Sequence, residues 1–109
     1  MRVKWVDDEP TILVDTRKLW SNWQSSQRDN NIHRPAVDEY KTKIRAGEKI
    51  NPIIFEKFVD EDGQTRIRTS DGRHRLVAVY EMQTAGELDD STVAVLRTEI
   101  AEQYKEIFD

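Results

Sequence analysis

Residues 65–82, TRIRTSDGRHRLVAVYEM, decide the fold class because they join a strand pattern directly to a helix pattern. Residues 65–69 alternate in polarity as the return strand of a hairpin does. The wide apolar face of a helix follows at Leu76, Val77, Val79, Tyr80 and Met82. The first amides of a helix lack intrahelical partners and carry partial positive charge, so a phosphate at this junction would gain hydrogen bonds. We therefore predict an anion-binding turn at residues 71–75 (DGRHR), hereafter the DGRHR turn.

The neighbouring segments also alternate between helix and strand patterns. Pro35 suits the first turn of a helix, which Gly47 would end. Between them, apolar residues recur at helical spacing at Val37, Tyr40 and Ile44. Residues 53–59 predict a strand that is deeply buried at its start, and residues 60–63 predict the hairpin turn that leads to the return strand.

Both ends of the chain fit the same scheme. Residues 11–14 predict a strand, Asp15 a helix N-cap, and residues 93–96 a last strand. Thr98 is placed to cap a final helix. The apolar faces of these two terminal helices consist of Leu19, Trp20 and Trp23 in the first, and Ile100, Tyr104, Ile107 and Phe108 in the second. Residues 21–31 are polar and predict an exposed loop or a frayed helix end.

Composition limits the class of protein. The chain has 109 residues, no cysteine, and 17 Lys plus Arg against 21 Asp plus Glu, for a net charge of −4. We expect a single α/β (α+β) domain over residues 1–109, without disulfides or thiolate chemistry. No apolar run is long enough to cross a bilayer, and the charged start does not resemble a signal peptide, so we expect a cytoplasmic protein without a membrane partner. The negative balance disfavours strong nucleic-acid binding.

The order of motifs carries a family resemblance. After the helix at residues 37–44 come IRAGEKINPIIF (44–55), a hairpin, TSDGRHRLVAVYEM (69–82) and STVAVL (91–96). This order resembles the superfamily of ParB N-terminal domains and sulfiredoxin, most strongly over residues 37–96. The resemblance implies a small mixed sheet flanked by helices, with a Gly-x-x-Arg turn between the hairpin and the next helix.

The resemblance also implies a ligand. By position, the family's phosphate-binding turn corresponds to Gly72, Arg73, His74 and Arg75. That turn accepts CTP in ParB proteins and ATP or ADP in sulfiredoxin-like ones, so a nucleotide is the expected cofactor, with Mg²⁺ as its expected companion. The residue types agree, because glycine allows close backbone approach and an arginine such as Arg75 can donate a bidentate fork to phosphate oxygens.

Departures from the family narrow the activity. The sulfiredoxin nucleophile would fall at Arg73, and a guanidinium cannot replace a thiolate, so peroxiredoxin repair is excluded. ParB proteins carry a DNA-binding module and a dimerisation segment after this core, for which the residues beyond Leu96 leave too little room. The superfamily includes a free-serine kinase that uses ADP, and the DGRHR turn resembles its phosphate turn, although no general base can be assigned.

Each candidate residue of the turn has a second interpretation. Asp71 and His74 are the candidate catalytic residues: Asp71 would hold magnesium or orient a nucleophile, or it simply caps the helix. His74 would contact phosphate or act as an acid or base, or it is a packed, hydrogen-bonded side chain. Arg73 and Arg75 would bind phosphate or are solvated charges. Metal ligands stay unassigned.

Side chains outside the turn have open roles as well. Arg66 and Arg68 share one face of the return strand and would widen a basic pocket, or they form a solvated strand face. Trp5, Trp20 and Trp23 would stack on a base or form a protein-binding patch, but core packing is the default for at least two of them.

Three functions are compatible with these patterns. The first is a ParB/sulfiredoxin-like module that binds a nucleotide phosphate at the DGRHR turn, with hydrolysis or phosphoryl transfer as an optional step. The second is a non-catalytic adaptor or inhibitor, of the kind found in phages and plasmids, which binds a protein partner through the Trp-containing loop and an acidic surface. The third is a DNA-associated, nuclease-like protein. The residues leave open whether the protein is an enzyme and what its oligomeric state is.

Overall fold

A mixed α/β arrangement is present in the computed structural model, which describes residues 1–26 and 32–108. Within these ranges the order is β1 (Lys4–Trp5), β2 (Thr11–Asp15), α1 (Thr16–Ser26), α2 (Arg34–Arg45), β3 (Lys49–Ile50), β4 (Ile54–Val59), β5 (Thr65–Asp71), α3 (Arg73–Thr84), β6 (Thr92–Leu96) and α4 (Glu99–Phe108). The predicted α/β class is confirmed, and all the elements of the described chain form one small domain.

The described strands pair as three short ladders. β4 and β5 form the predicted antiparallel hairpin, β2 pairs antiparallel with β6, and β1 pairs parallel with β3. A parallel bridge connects two of the ladders, because the Ile53 amide donates to the Ala94 carbonyl at 3.0 Å and the Leu96 amide donates to the Ile53 carbonyl at 2.9 Å. The expected mixed sheet is divided into these three ladders, two of which this bridge joins. β1 and β3 are only two residues each, too short to give an alternating pattern.

Helix α3 is the centre of the core. Residues 75–79 and Met82 are all buried, so α3 is covered on more than one side. Its apolar neighbours come from the continuous apolar stretches of the sequence, and the large core residues with less than 2% exposure include Leu19, Val37, Ile53, Val93 and Val95. This packing holds the first turn of α3, and with it the DGRHR turn, in one position.

Several predicted helix and turn signals are confirmed. The Asp15 carboxylate accepts the amides of Arg17 and Lys18 at 2.9 and 3.1 Å, which caps α1. The Thr98 hydroxyl accepts the Ala101 amide at 3.1 Å and caps α4. These caps form because serine, threonine and aspartate satisfy amides that a helix leaves unpaired, without help from the rest of the fold.

The polar stretch at residues 21–31 differs in part from the prediction. Helix α1 continues through Ser26, and residues 27–31 lie outside the described residues. Trp23 is only 5% exposed, which anchors this helix in the core. In α4, Ile100 packs against the core, whereas the predicted apolar side chains at positions 104, 107 and 108 lie outside the described part. None of the described helices combines the length and apolarity needed to span a membrane.

Candidate anion-binding turn

Helices α2 and α3 lie side by side with their N-termini at the same end. The cross-helix contacts run in the same order along both segments: His33 with His74, Lys41 with Glu81, and Arg45 with Glu87. Val37 and Ile44 bury one face of α2 in the core. Two positive helix ends are therefore brought together, although their sequences are separated by a hairpin.

The first turns of both helices carry basic rather than acidic side chains. α2 begins after His33 and α3 after Gly72, and neither helix has a side-chain cap or an acidic residue in its first turn. Basic residues stand there instead, namely Arg34 in α2 and Arg73 and Arg75 in α3. This is the reverse of the usual preference, since acidic groups stabilise an N-terminus. Arg34 and Arg75 pair with Glu81 and Asp71, and departures from local rules concentrate at functional sites, so this end is a candidate site.

A polar cavity opens at the start of α3. Its volume is about 160 Å³, and we name it the 69–74 cavity after its lining residues, which are Thr69, Ser70, Asp71, Gly72, Arg73 and His74. Sites for whole small molecules usually measure about 300–1,000 Å³. The cavity therefore matches one phosphate group, and the remainder of a larger ligand would lie outside it.

Gly72 is the one residue whose backbone this turn requires to be glycine. Its φ is +106°, in a region that other residues rarely adopt. A Cβ atom at this position would lie 2.8 Å from Nη2 of Arg75 and 3.0 Å from its Nε. The sequence predicted that a group would approach the backbone closely at this glycine. In the structure, that group is the protein's own Arg75 guanidinium.

Arg75 is buried, which corrects the expectation of a surface charge. Only 4% of the residue is exposed. Its Nη1 donates to the Asn51 carbonyl at 3.3 Å, its Nη2 pairs with the Asp71 carboxylate at 3.0 Å, and its guanidinium lies 6.0 Å from the Tyr40 ring centre. Its Nε is buried without a hydrogen-bond partner in the described residues. We therefore expect truncation of Arg75 to destabilise the fold, because its side chain packs against the turn and bonds the Asn51 carbonyl.

Asp71 does not cap α3, which corrects the second expectation. Gly72 occupies the N-cap position and no side chain caps the helix. The Asp71 carboxylate instead pairs with Arg75, remains 68% exposed, and lines the 69–74 cavity. It is available to a ligand or to a ligand-bound cation.

His74 links the two helix ends. Its Nε2 accepts the backbone amide of His33 at 3.0 Å, so Nε2 carries no proton in this arrangement and Nδ1 holds the proton of the neutral ring. The sequence interpretation as a hydrogen-bonded side chain is confirmed, and its imidazole also lines the cavity beside Arg73. No sequence pattern indicated His33 as the partner, because the two residues are 41 positions apart.

Arg66 and Arg68 have partners of their own within the hairpin. Arg66 pairs with Asp60 at 2.5 Å, and Arg68 pairs with Glu56 at 2.7 Å and lies over the Phe58 ring at 5.0 Å. Neither lines the 69–74 cavity. The hypothesis that they widen a basic pocket is wrong, since carboxylate partners within the hairpin already neutralise both.

The tryptophans also have internal partners. Trp20 stacks on Tyr80 with ring centres 4.0 Å apart and planes 3° from parallel, and it contacts Trp23 at 5.3 Å. Trp5 is partly buried against the core. The core interpretation is confirmed for Trp23, whose burial leaves it unavailable as an exposed anchor for a protein partner.

A charged cluster that sequence reasoning missed joins α2 to α3. Arg34 donates to both carboxylate oxygens of Glu81 at 2.8 and 2.9 Å, and Lys41 donates to the same carboxylate at 2.8 Å. The Arg34 hydrogen bonds are the main cause that lowers the pKa of Glu81 from 4.5 to about 2. The cluster needs two helices in register, and no short-range spacing signals that.

A second cavity lies near the other end of α3. It measures about 320 Å³ and is lined by Asp15, Arg17, Tyr80, Gln83, Thr84, Leu88, Asp89, Asp90 and Ser91. These residues come from separate segments, which is why no motif predicted it. In the part of the chain that is described, no group of three or more His, Cys, Asp or Glu side chains is arranged to hold a metal ion.

Comparisons with known proteins add no relative. No protein-family model matches the chain, and no curated protein and no solved structure does. What the turn binds therefore has to be inferred from its own residues.

Proposed function

We propose that this protein is a nucleotide-binding module of ParB/sulfiredoxin type that holds a phosphate group at the DGRHR turn. The observation that carries the proposal is the pair of adjacent helix N-termini without caps, one of which opens on a phosphate-sized polar cavity. An anion there would hydrogen-bond backbone amides and complement two helix dipoles.

The lining residues suit phosphate chemically. The hydroxyls of Thr69 and Ser70 are donors, and the Arg73 guanidinium is a permanent cation with several N–H groups. Gly72 leaves the backbone open on the cavity side. Charge neutralisation and positioning are also the two main requirements of phosphoryl transfer, so hydrolysis or transfer is an optional extension of binding.

The order of elements supports the ParB/sulfiredoxin assignment. The α2 helix before Gly47, the strand entered through Pro52 and Ile53, the hairpin, the DGRHR turn, α3 and β6 follow one another as the resemblance requires. Residues 1–26 contribute α1 and β2, which pack against this unit.

The two candidate catalytic residues at the cavity, Asp71 and His74, differ in whether their functional atoms are free to meet a ligand. The exposed Asp71 carboxylate would coordinate Mg²⁺ together with phosphate oxygens, the coordination that this ion commonly adopts at nucleotide sites. His74 would act as an acid or base through Nε2 only after His33 gives up its hydrogen bond. The proposed function is therefore binding, and catalysis is an optional extension of it.

Calorimetric titration tests the proposal directly. ATP, ADP, CTP and GTP are each titrated with magnesium into the wild type, into Arg73→Gln and into Arg2→Gln. Loss of a charge-assisted contact should weaken binding about tenfold or more in Arg73→Gln. Arg2→Gln removes one exposed guanidinium that interacts with Asp89, beyond the opposite end of α3, and should bind like the wild type.

Two results would overturn the proposal. One is the absence of both heat and a shift in melting temperature for the wild type at millimolar nucleotide. The other is equal affinity in the wild type and Arg73→Gln, which would move the ligand away from the DGRHR turn. A nucleotide preference among the four would identify the base.

A further inference from the structure

We propose that the second cavity, beside the C-terminal end of α3, binds a small polar molecule that carries a primary ammonium group. We name it the Asp90 cavity; it shares no lining residue with the 69–74 cavity, so the inference is independent of the proposed phosphate site. Its volume of about 320 Å³ lies within the range of small-molecule sites, which is about 300–1,000 Å³.

Asp90 brings to this cavity a charge that the protein does not balance. Its Oδ1 is buried without a hydrogen-bond partner, and its carboxylate forms no salt bridge, within the described residues. Thr16 adds a second such group, because it is fully buried and its hydroxyl has no partner in the same part of the chain. The Thr16 amide donates to the carbonyl of Ser91, a lining residue, at 2.9 Å. Buried polar groups without partners are uncommon and call for a reason, which a bound cation would supply for Asp90.

The other charged side chains of the cavity leave the Asp90 charge in place. Asp89 is paired with the α-ammonium of Met1 at 2.6 Å, and Asp15 caps α1 through one oxygen but keeps its negative charge. Arg17 also lines the cavity, but it is exposed and forms no salt bridge with any described side chain. Asp15 and Asp90 against Arg17 leave one negative charge, which a monovalent cation would balance.

Polar side chains around Asp90 offer acceptors to a ligand. The Gln83 side-chain amide donates to the Thr92 carbonyl at 3.3 Å, and the Thr84 hydroxyl donates to the Tyr80 carbonyl at 2.8 Å. Both side chains thus direct donors to the backbone and keep oxygen atoms that can accept hydrogen bonds. An ammonium group has three N–H donors and no acceptor, so it is complementary to this lining.

The lining fits an organic cation better than a metal ion. Within the described residues, no three His, Cys, Asp or Glu side chains are arranged to hold a metal. The cavity also has an apolar wall, formed by Leu88 and by Tyr80, whose ring is held by stacking on Trp20 at 4.0 Å. A metal ion makes no use of apolar surface, whereas the carbon skeleton of an amine would pack against it.

Nuclear magnetic resonance titration with matched ligands tests the inference. Glucosamine is compared with glucose, and ethanolamine with ethylene glycol, since in each pair an ammonium group replaces one hydroxyl. The backbone amides of Gln83 and Ser91 report on the Asp90 cavity, and the amide of Gly72 reports on the DGRHR turn. Both amines should shift the Gln83 and Ser91 resonances and leave Gly72 unchanged, and each should bind about tenfold more tightly than its neutral counterpart.

Four variants assign the effect to the cavity, and urea unfolding verifies that each is folded. Asp90→Asn should weaken amine binding about tenfold through loss of a charge-assisted contact. Asp62→Asn makes the same change in net charge on the exposed hairpin turn, outside the cavity, and should bind like the wild type. Arg17→Gln removes a like charge and should strengthen amine binding about threefold. Ser91→Leu fills the cavity without a change in charge and should abolish binding of both amines.

Four results would overturn the inference. The first is the absence of shifts at Gln83 and Ser91 with either amine at millimolar concentration. The second is equal binding of the amines and their neutral counterparts, which would mean that charge is not recognised. The third is an equal loss in Asp62→Asn and Asp90→Asn, which would assign the effect to overall charge, and the fourth is weaker binding in Arg17→Gln. Each of these results would leave nucleotide binding at the DGRHR turn untouched, so the proposed function stands or fails separately.

Discussion

Two guanidinium–carboxylate clusters on α3 use the same chemical groups in different ways. In the Glu81 cluster, Arg34 donates to both carboxylate oxygens and Lys41 adds a third donor. In the Asp71–Arg75 pair, the carboxylate is largely exposed and the buried guanidinium has an Nε without a hydrogen-bond partner in the described residues. The first cluster is complete, and the second is not.

The difference separates a carboxylate that receives several donors from a guanidinium that keeps one unsatisfied nitrogen among the described residues. A carboxylate that receives several donors has its charged form stabilised, which is why the pKa of Glu81 falls to about 2. Buried polar atoms without partners are uncommon in folded proteins and call for a reason. At the start of α3, the Arg75 Nε without a partner among the described residues lies beneath a helix end that no side chain caps, which makes this end the candidate site for an anion.

The largest effect should come from Arg75→Ala. We expect it to lower the free energy of unfolding by about 2–4 kcal/mol, because it removes a buried stem and leaves a void under the turn. Arg34→Ala is the matched control on the exposed side of α2, and should cost clearly less because solvent screens an exposed ion pair. Urea unfolding measures both. Equal losses would mean that burial does not distinguish the two arginines.

An intermediate effect should come from Glu81→Gln, and it should depend on pH. Because the pKa of Glu81 in the folded state is depressed from 4.5 to about 2, its contribution is present above pH 4.5 and is lost as the pH falls toward 2. The variant should lose about 1–2 kcal/mol at pH 7, allowing for solvent screening of a partly exposed cluster.

The same variant should also lose stability less steeply than the wild type between pH 4.5 and 2. Unfolding curves collected across that range measure the slope. Glu61→Gln, on the exposed hairpin turn, provides the control and should keep the wild-type slope. Parallel slopes for Glu81→Gln and the wild type would show that the Glu81 cluster does not govern acid stability.

The smallest effect should come from Arg68→Gln. Arg68 pairs with Glu56 in a partly exposed position on the hairpin and lies outside the 69–74 cavity. We expect a loss of about 1 kcal/mol or less in unfolding free energy and an unchanged nucleotide affinity. Urea unfolding and calorimetric titration measure the two quantities. A loss of affinity as large as that of Arg73→Gln would extend the site along β5.

Local signals explain most of the elements that the sequence predicted. Asp15 and Thr98 cap their helices through bonds to residues two or three positions away. In the hairpin turn, the Asp60 amide donates to the Gln64 carbonyl and the Gly63 amide donates to the Asp60 carbonyl. Such contacts need no distant partner, so a short sequence window contains the whole interaction. The ladder of β1 with β3 was missed because two residues per strand are too few to show a pattern in the sequence.

The candidate site was predictable in position and not in internal geometry. The DGRHR turn could be located because a strand, a glycine and a helix follow one another directly, and the positive φ of Gly72 agrees with that reasoning. The burial of Arg75 depends on Asn51 and Tyr40, which lie 24 and 35 positions earlier. No local pattern distinguishes a buried arginine from an exposed one at the same place in a helix.

By itself, the sequence determined the mixed class of the fold, most helix and strand positions, and the location of a helix start rich in cations, because these follow from short-range periodicity and turn chemistry. Only the tertiary structure decided which of those cations face solvent. It placed a second helix end beside the first, enclosed Arg75, left Asp71 at the cavity wall and completed the Glu81 cluster. Each of these outcomes depends on contacts between residues far apart in the chain, and the packing of the whole core determines which of them form.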